Sequence, residues 1–227
     1  MTMRNKYLRR ARVLERDFRA VLRCFAHDLP ALTAAKMCGV NKNTTHRLYG
    51  LLRQRMVALA EAEARPFVGG IVEIDESYFG PRRVRGKRGR GAGRKIPVIG
   101  LLKRAGKGFA QIVPNCSKTE LLRVVHGQVK GPATIHTDGW KAYDGLVWDG
   151  FKHHRVHHHE NEFARGKRHI NGIESFWSFA KTRLAKQRGV RADKFPLHHK
   201  ESEWRWNDRR DNLYSLLLKE TRSYPLN

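Results

Sequence analysis

The sequence predicts an α/β protein in two parts: a small all-α module over residues 1–66, then a mixed sheet flanked by helices over 67–227. Three observations carry this. Apolar residues between Asp17 and Ala60 recur at helical spacing with no strand-like alternation. After Pro66 come three short segments rich in branched apolar residues, IVEIDESYF, IPVIGLLKR and GFAQIVP, separated by glycine-rich or basic turns. The length of 227 residues suits one sizeable core with a smaller companion.

In the helical module, LTAAKMCGVNKNTTHRLYGLL places Ala35 four positions before Gly39, with Asn41 or Asn43 able to cap the next helix. That is the pattern of a helix-turn-helix, whose tight turn needs a small residue where the helices touch and a glycine between them. An ordinary helical hairpin fits the same residues. Lys42, Thr44, Thr45, His46 and Arg47 then lie on the candidate recognition helix, with Arg53 beyond. Glu61 to Pro66 reads as a helix exit.

In the second part, Ser117 to Val129 reads as a helix, ATIHTD as a fourth strand, HHRVHH as a fifth, and Asn171 to Arg188 as a long amphipathic helix. Three strands, a helix, a strand, then a strand and helix is the order of a ribonuclease H-like mixed five-stranded sheet.

Composition narrows the partner. Lysine and arginine total 46 against 21 acidic residues, a net +25, far more than solubility needs and suited to a polyanion. Charge alone leaves a phosphate-coating protein as plausible as an enzyme. The three cysteines, Cys24, Cys38 and Cys116, have no paired spacing and assemble neither a zinc ribbon nor a disulfide framework. No apolar run approaches a membrane span, and the start lacks a signal peptide's apolar centre, so a cytoplasmic protein is expected.

The candidate chemistry lies in three acids. Alternation sends Val72 and Ile74 to one face of the first strand and Glu73 and Asp75 to the other, leaving a carboxylate mid-strand where it needs a cation, a metal or an arginine. Asp138 ends the fourth strand at a corresponding position, or caps a simple turn. On the long helix, Ile173, Phe176, Trp177, Ala180 and Leu184 form a core stripe. Asn171, Glu174, Ser178 and Lys181 form a second stripe beside it, from which Glu174 can reach the two aspartates and Lys181 a phosphate. Clustered carboxylates repel unless cations neutralise them, and hard oxygen donors favour Mg2+ or Mn2+. Two such ions serve in-line phosphoryl transfer. A solvated polar face is the simpler account of Glu174 and Lys181.

IDESYFGPRRVRGKRGRG, IHTDGWKAYDGL, NEFARGKRHINGIESFWSFAK and ESEWRWNDRR together resemble the bacterial insertion-sequence transposases of the DDE superfamily, from about Val72 to Leu218. The resemblance implies a ribonuclease H-like catalytic domain that cuts double-stranded DNA at the terminal inverted repeats of its own element and joins the 3′ ends to a target. Carried onto this sequence, its metal-holding acids fall on Asp75, Asp138 and Glu174, with Lys181 seven residues after the last; 35 residues separate Asp138 from Glu174. Some relatives have asparagine as third member, which keeps Asn171 as an alternative. Many carry an N-terminal zinc ribbon that is lacking here, leaving the helical module to recognise the repeats. Joining two element ends implies a homodimer or larger assembly on DNA.

Between the first two strands, Arg82, Arg83, Arg85, Lys87, Arg88 and Arg90 lie among glycines in a loop expected to clamp DNA. Lys141 follows the second aspartate, and Arg205 lies between Trp204 and Trp206. The tryptophans are expected to pack on the sheet while Arg205 reaches DNA. His153, His154, His157, His158 and His159 split between strand faces with no cysteine nearby, and read as a phosphate-facing or structural patch. A repressor using the helix-turn-helix, and a nuclease or resolvase that cuts without joining, are the rival readings.

Overall fold

A computed structural model describes residues 5–10, 12–80, 95–138, 143, 146, 150–156 and 169–227. The chain divides into two units, 1–63 with 182–227, and 64–181.

The first unit begins with three helices, α1 (Glu15–Ala26), α2 (Ala31–Cys38) and α3 (Lys42–Glu63). Gly39 ends α2 at φ 64°, a left-handed conformation that costs glycine little, and its N–H returns to the Ala35 carbonyl. The side chain of Asn41 then accepts the Asn43 N–H at 2.8 Å and caps α3. These are the expected turn and cap.

The end of the chain departs from expectation. Residues 182–227, expected with the sheet, belong to the helical unit through α6 (Phe195–Asn207) and α7 (Leu213–Ser223). Trp204 and Leu217 share a core with Phe18, Leu22 and Phe25 of α1 and Leu48, Leu52 and Met56 of α3. Trp204 therefore packs among helices, not on the sheet. Arg205 is buried and donates at the end of α1 to the carbonyl of Ala26 at 3.0 Å and to that of Phe25 at 2.5 Å, which also accepts the Asp28 N–H.

The second unit is a five-stranded sheet in the order β3-β2-β1-β4-β5. Its strands are β1 (Phe67–Phe79), β2 (Ile96–Lys103), β3 (Gly108–Ile112), β4 (Val129–Asp138) and β5 (Lys152–Val156). The pairs β1–β2 and β2–β3 are antiparallel, and β1–β4 and β4–β5 parallel. The helix α4 (Lys118–Gln128), capped by Ser117, connects β3 to β4. Its Leu121, Val124 and Val125 share a core with Val72 and Ile74 of β1, Ile99 and Leu101 of β2, and Ile135 of β4. This is the mixed ribonuclease H-like sheet that the order of segments predicts. The helix α5 (Asn171–Ala185) meets the opposite face, and the division between the units falls within it, after Lys181.

Candidate active site

The alternation of β1 sets which side chains meet which helix. Val72 and Ile74 are buried on the α4 side, while Glu73 and Asp75 face α5. Ile74 pairs with Thr137 of β4, so Asp75 and Asp138 are the next residues on adjacent parallel strands. Neighbouring strands lie about 4.8 Å apart, and side chains at matched positions point the same way. Ile173, Phe176, Trp177 and Ala180 of α5 are buried, whereas Asn171, Glu174, Ser178 and Lys181 are exposed.

Asp75 accepts the Trp177 indole N–H at 3.1 Å. Burial pushes its carboxyl up to about 6; the neighbouring Asp138 charge adds to this, Trp177 and the Glu76 backbone amide oppose it, and Glu174 raises it further. Asp138 and Glu174 thus each lie within electrostatic range of Asp75, and each negative charge works against its ionisation. Among the described residues, no three His, Cys, Asp or Glu side chains form a ready-made metal cage. Lys181 holds its ammonium 5.9 Å from the centre of the Phe79 ring. Asn171 opens the helix one turn before Glu174.

Three neighbours of the acids escape a reading of the sequence. Trp177 reads as core and is also a hydrogen-bond donor. The Tyr143 hydroxyl, inside the α4-side core, donates to Glu76. Glu73, only 1% exposed, binds Arg104 and the backbone N–H of Ile173. Strand alternation already sets it on the face of Asp75, but nothing in the sequence points to Arg104 and Ile173 as its partners.

The candidate DNA contacts divide. Lys42, His46 and Arg47 are exposed on α3, and Thr44 is half-buried. Thr45 is fully buried and turns its hydroxyl to the Asn41 carbonyl at 3.1 Å, so it holds the start of the helix and cannot meet DNA. Arg53 is buried against Glu201 at 2.7 Å, and Arg205 is buried as described; neither reaches outward. Arg82, Arg83, Arg85, Lys87, Arg88, Arg90, Lys141, His157, His158 and His159 lie outside the described residues. His153 is hydrogen-bonded to Thr137 at 2.8 Å and His154 meets the His136 ring edge-on, which places both within the sheet's own packing.

Sheet order and strand directions, with Asp75 and Asp138 following one another's register on adjacent parallel strands, define a ribonuclease H-like domain. Residues 67–207 match the ISXO2-like transposase domain. The chain belongs to this family of insertion-sequence transposases. It is 35% identical over 114 residues to an uncharacterized transposase-like protein of Haemophilus influenzae, covering 50% of this chain and 92% of the relative. It is 34% identical over 158 residues to an uncharacterized protein in the transposable element ISH50 of Halobacterium salinarum, covering 62% of this chain and 53% of that one. Among solved structures, the mariner Mos1 paired end complex with Mg is similar at a TM-score of 0.40 and 11% identity, over 94% of this chain and 79% of that one. The simian T-cell lymphotropic virus intasome in complex with PP2A regulatory subunit B56 gamma gives 0.39 and 10%, over 82% and 67%. No described helix is long and apolar enough to cross a membrane.

Proposed function

We propose that the protein cuts double-stranded DNA at the terminal repeats of its element and joins the ends to a target, using two divalent ions held by Asp75, Asp138 and Glu174. The observation that carries this reading is the parallel pairing of β1 and β4, which sets Asp75 beside Asp138 on the face that α5 covers; burial, with the charges of Asp138 and Glu174, pushes the Asp75 carboxyl up. Carboxylates that repel one another are relieved by a hard cation, and the all-oxygen donor set fits Mg2+ or Mn2+. When bound, such ions activate a water or a 3′ hydroxyl and stabilise the leaving oxygen of an in-line transfer.

The protein's part is placement. Trp177 orients Asp75 through its indole N–H. Lys181, two helical turns beyond Glu174, is placed to hold a backbone phosphate. Asn171 is a neighbour able to orient Glu174 or replace it as third member. Lys42, Thr44, His46 and Arg47 serve end recognition, and the basic segment from Arg82 to Arg90, with Lys141, tracks the DNA backbone. Two ends joined in one event call for a homodimer or larger assembly.

The test is strand transfer on element-end DNA in Mg2+ with Asp75→Ala, Asp138→Ala, Glu174→Ala and, in parallel, Asn171→Ala. Loss of joined product in the first three supports the assignment. An active Glu174→Ala with a dead Asn171→Ala moves the third position to Asn171. Cut but never joined DNA from the unaltered chain points to a nuclease or resolvase, and tight DNA binding without metal-dependent cutting points to a repressor.

A further inference from the structure

Glu73 is a nearly fully buried carboxylate two residues before Asp75, on the same face of β1, and the proposed chemistry gives it no task. Its Oε2 accepts the backbone N–H of Ile173 at 3.0 Å, in the first turn of α5. Its Oε1 is held by Arg104 through Nε at 3.0 Å and Nη2 at 2.8 Å. The same Nη2 donates to the His169 carbonyl at 2.8 Å, just before the helix begins. Glu73 and Arg104 therefore grip α5 on both sides of its start. The negative charge also sits where a helix N-terminus favours one.

The spacing of the contacts sets a register. Glu73 meets Ile173 and Asp75 meets Trp177, so two strand residues match four helix residues. Two residues of strand rise about 6.7 Å and four of helix about 6 Å, so the helix runs alongside β1 with its first two turns fixed in place. Glu174 directly follows Ile173. Close approach is built in: a Cβ on Gly172 would lie 2.7 Å from Glu73 Oε2 and 2.8 Å from Leu102 Cδ2.

We propose that Glu73, clamped by Arg104, is a positioning residue that docks the first turn of α5 on β1 and so fixes Glu174 relative to Asp75. It touches neither DNA nor the reacting atoms and acts through the helix. The inference rests on the metal-holding role proposed for Asp75, Asp138 and Glu174.

The test uses the full chain with Mn2+ as probe, binding being followed by the resonance signal of the free ion. Glu73→Gln keeps the shape but removes the charge, and Gly172→Ala crowds the contact while leaving every ionisable group in place. Alanine favours a helix over glycine by about 1 kcal/mol, so helix propensity alone predicts no loss from Gly172→Ala. Both variants are expected to bind Mn2+ about 10-fold more weakly or worse, the scale seen when support behind a metal ligand is removed. In a Glu174→Ala chain the same two changes should shift affinity by less than about 2-fold, because the group they position is gone. Unchanged affinity in the parent chain, or an equal loss with and without Glu174, overturns the proposal. If Glu73→Gln does not fold, Gly172→Ala decides alone. Asp75→Ala separates the two layers: unchanged Mn2+ binding there removes the metal reading and this inference with it, whereas a loss there with none in Gly172→Ala removes the inference only.

Discussion

The Trp177 indole of α5 donates to the Asp75 carboxylate of β1 at 3.1 Å, so a residue that fills the core between helix and sheet also orients an acid of the candidate site. Packing and chemistry meet in one side chain. Trp177→Phe keeps most of the apolar surface and removes the donor. Cleavage of element-end DNA at fixed Mg2+ is expected to slow by about 10- to 100-fold, the usual cost of freeing a metal-binding carboxylate from its orienting partner. A rate within about 2-fold of the parent would show that Asp75 needs no such partner.

Gly100 lies opposite Asp75 on β2, and a Cβ there would run into the Trp177 ring and the Ile173 side chain. Neither ring nor helix can retreat without loosening its packing on β1. Gly100→Ala is expected to destabilise the fold by about 1–3 kcal/mol, the range for overpacking a closed core. Urea unfolding followed by tryptophan fluorescence measures it, and Gly50→Ala, with nothing within 4 Å of its Cβ, is the matched control.

The sheet and the face of α5 that meets it were legible in the sequence because each follows a simple period. Val72 to Asp75 alternates apolar and acidic residues, and Ile173, Phe176, Trp177 and Ala180 repeat at helical spacing. The destination of residues 182–227 was not legible. In α6 the buried positions include Glu201, Ser202, Glu203 and Arg205, so the usual contrast of apolar core and polar surface is reversed. Only the fold reveals that Arg53 from α3, Arg183 from α5 and Arg205 surround Glu201. At the site, the acids stood out by their place on strand and helix. Arg104 did not, because its partner Glu73 lies 31 positions away across the sheet.

Glu201 is 1% exposed and meets Arg53 at 2.7 Å, Arg183 at 2.5 Å and Arg205 at 3.0 Å. Burial pushes its carboxyl up, but Arg183, Arg205 and Arg53 outweigh this and hold it well below the usual carboxylate range. Removing it leaves the buried guanidinium groups of Arg53, Arg183 and Arg205 with only Asp28, 2.9 Å from Arg183 and 3.7 Å from Arg205, to offset them. Glu201→Gln is expected to cost about 3–5 kcal/mol in chemical denaturation read by the helical signal. A cost below about 1 kcal/mol would mean that the cluster is hydrated or rearranges freely.

The same unit should be sensitive to acid. Burial, with Lys200 nearby, pushes His199 down to about 3 from its ordinary 6.5, and burial with Arg53 pushes His198 down to about 4. Both are neutral when folded and protonate near 6.5 when unfolded, so their contribution is complete above 6.5 and is lost as pH falls toward 4 and then 3. Glu201 acts in the same direction at lower pH, its share being lost below its ordinary 4.5. At about pH 5, His199 alone accounts for about 2 kcal/mol. Denaturation midpoints should therefore fall between about pH 7 and pH 5, and His199→Phe should flatten that dependence; a slope unchanged by the substitution would assign the acid sensitivity elsewhere.

The exposed start of α3 makes a prediction separable from the buried arginines. Each DNA phosphate that the protein ceases to neutralise lowers the slope of log affinity against log salt by about 0.9. If α3 is the recognition helix, Lys42→Ala and Arg47→Ala should each reduce that slope by about 1 on element-end DNA while leaving thermal stability unchanged, since both side chains are exposed. Thr45→Val is the contrast: its hydroxyl closes on the Asn41 carbonyl inside the module, so it should lower stability and leave the salt slope alone. Equal slopes for the parent and both charge variants would move end recognition away from this helix, and the basic residues between Arg82 and Arg90 would be the next to substitute.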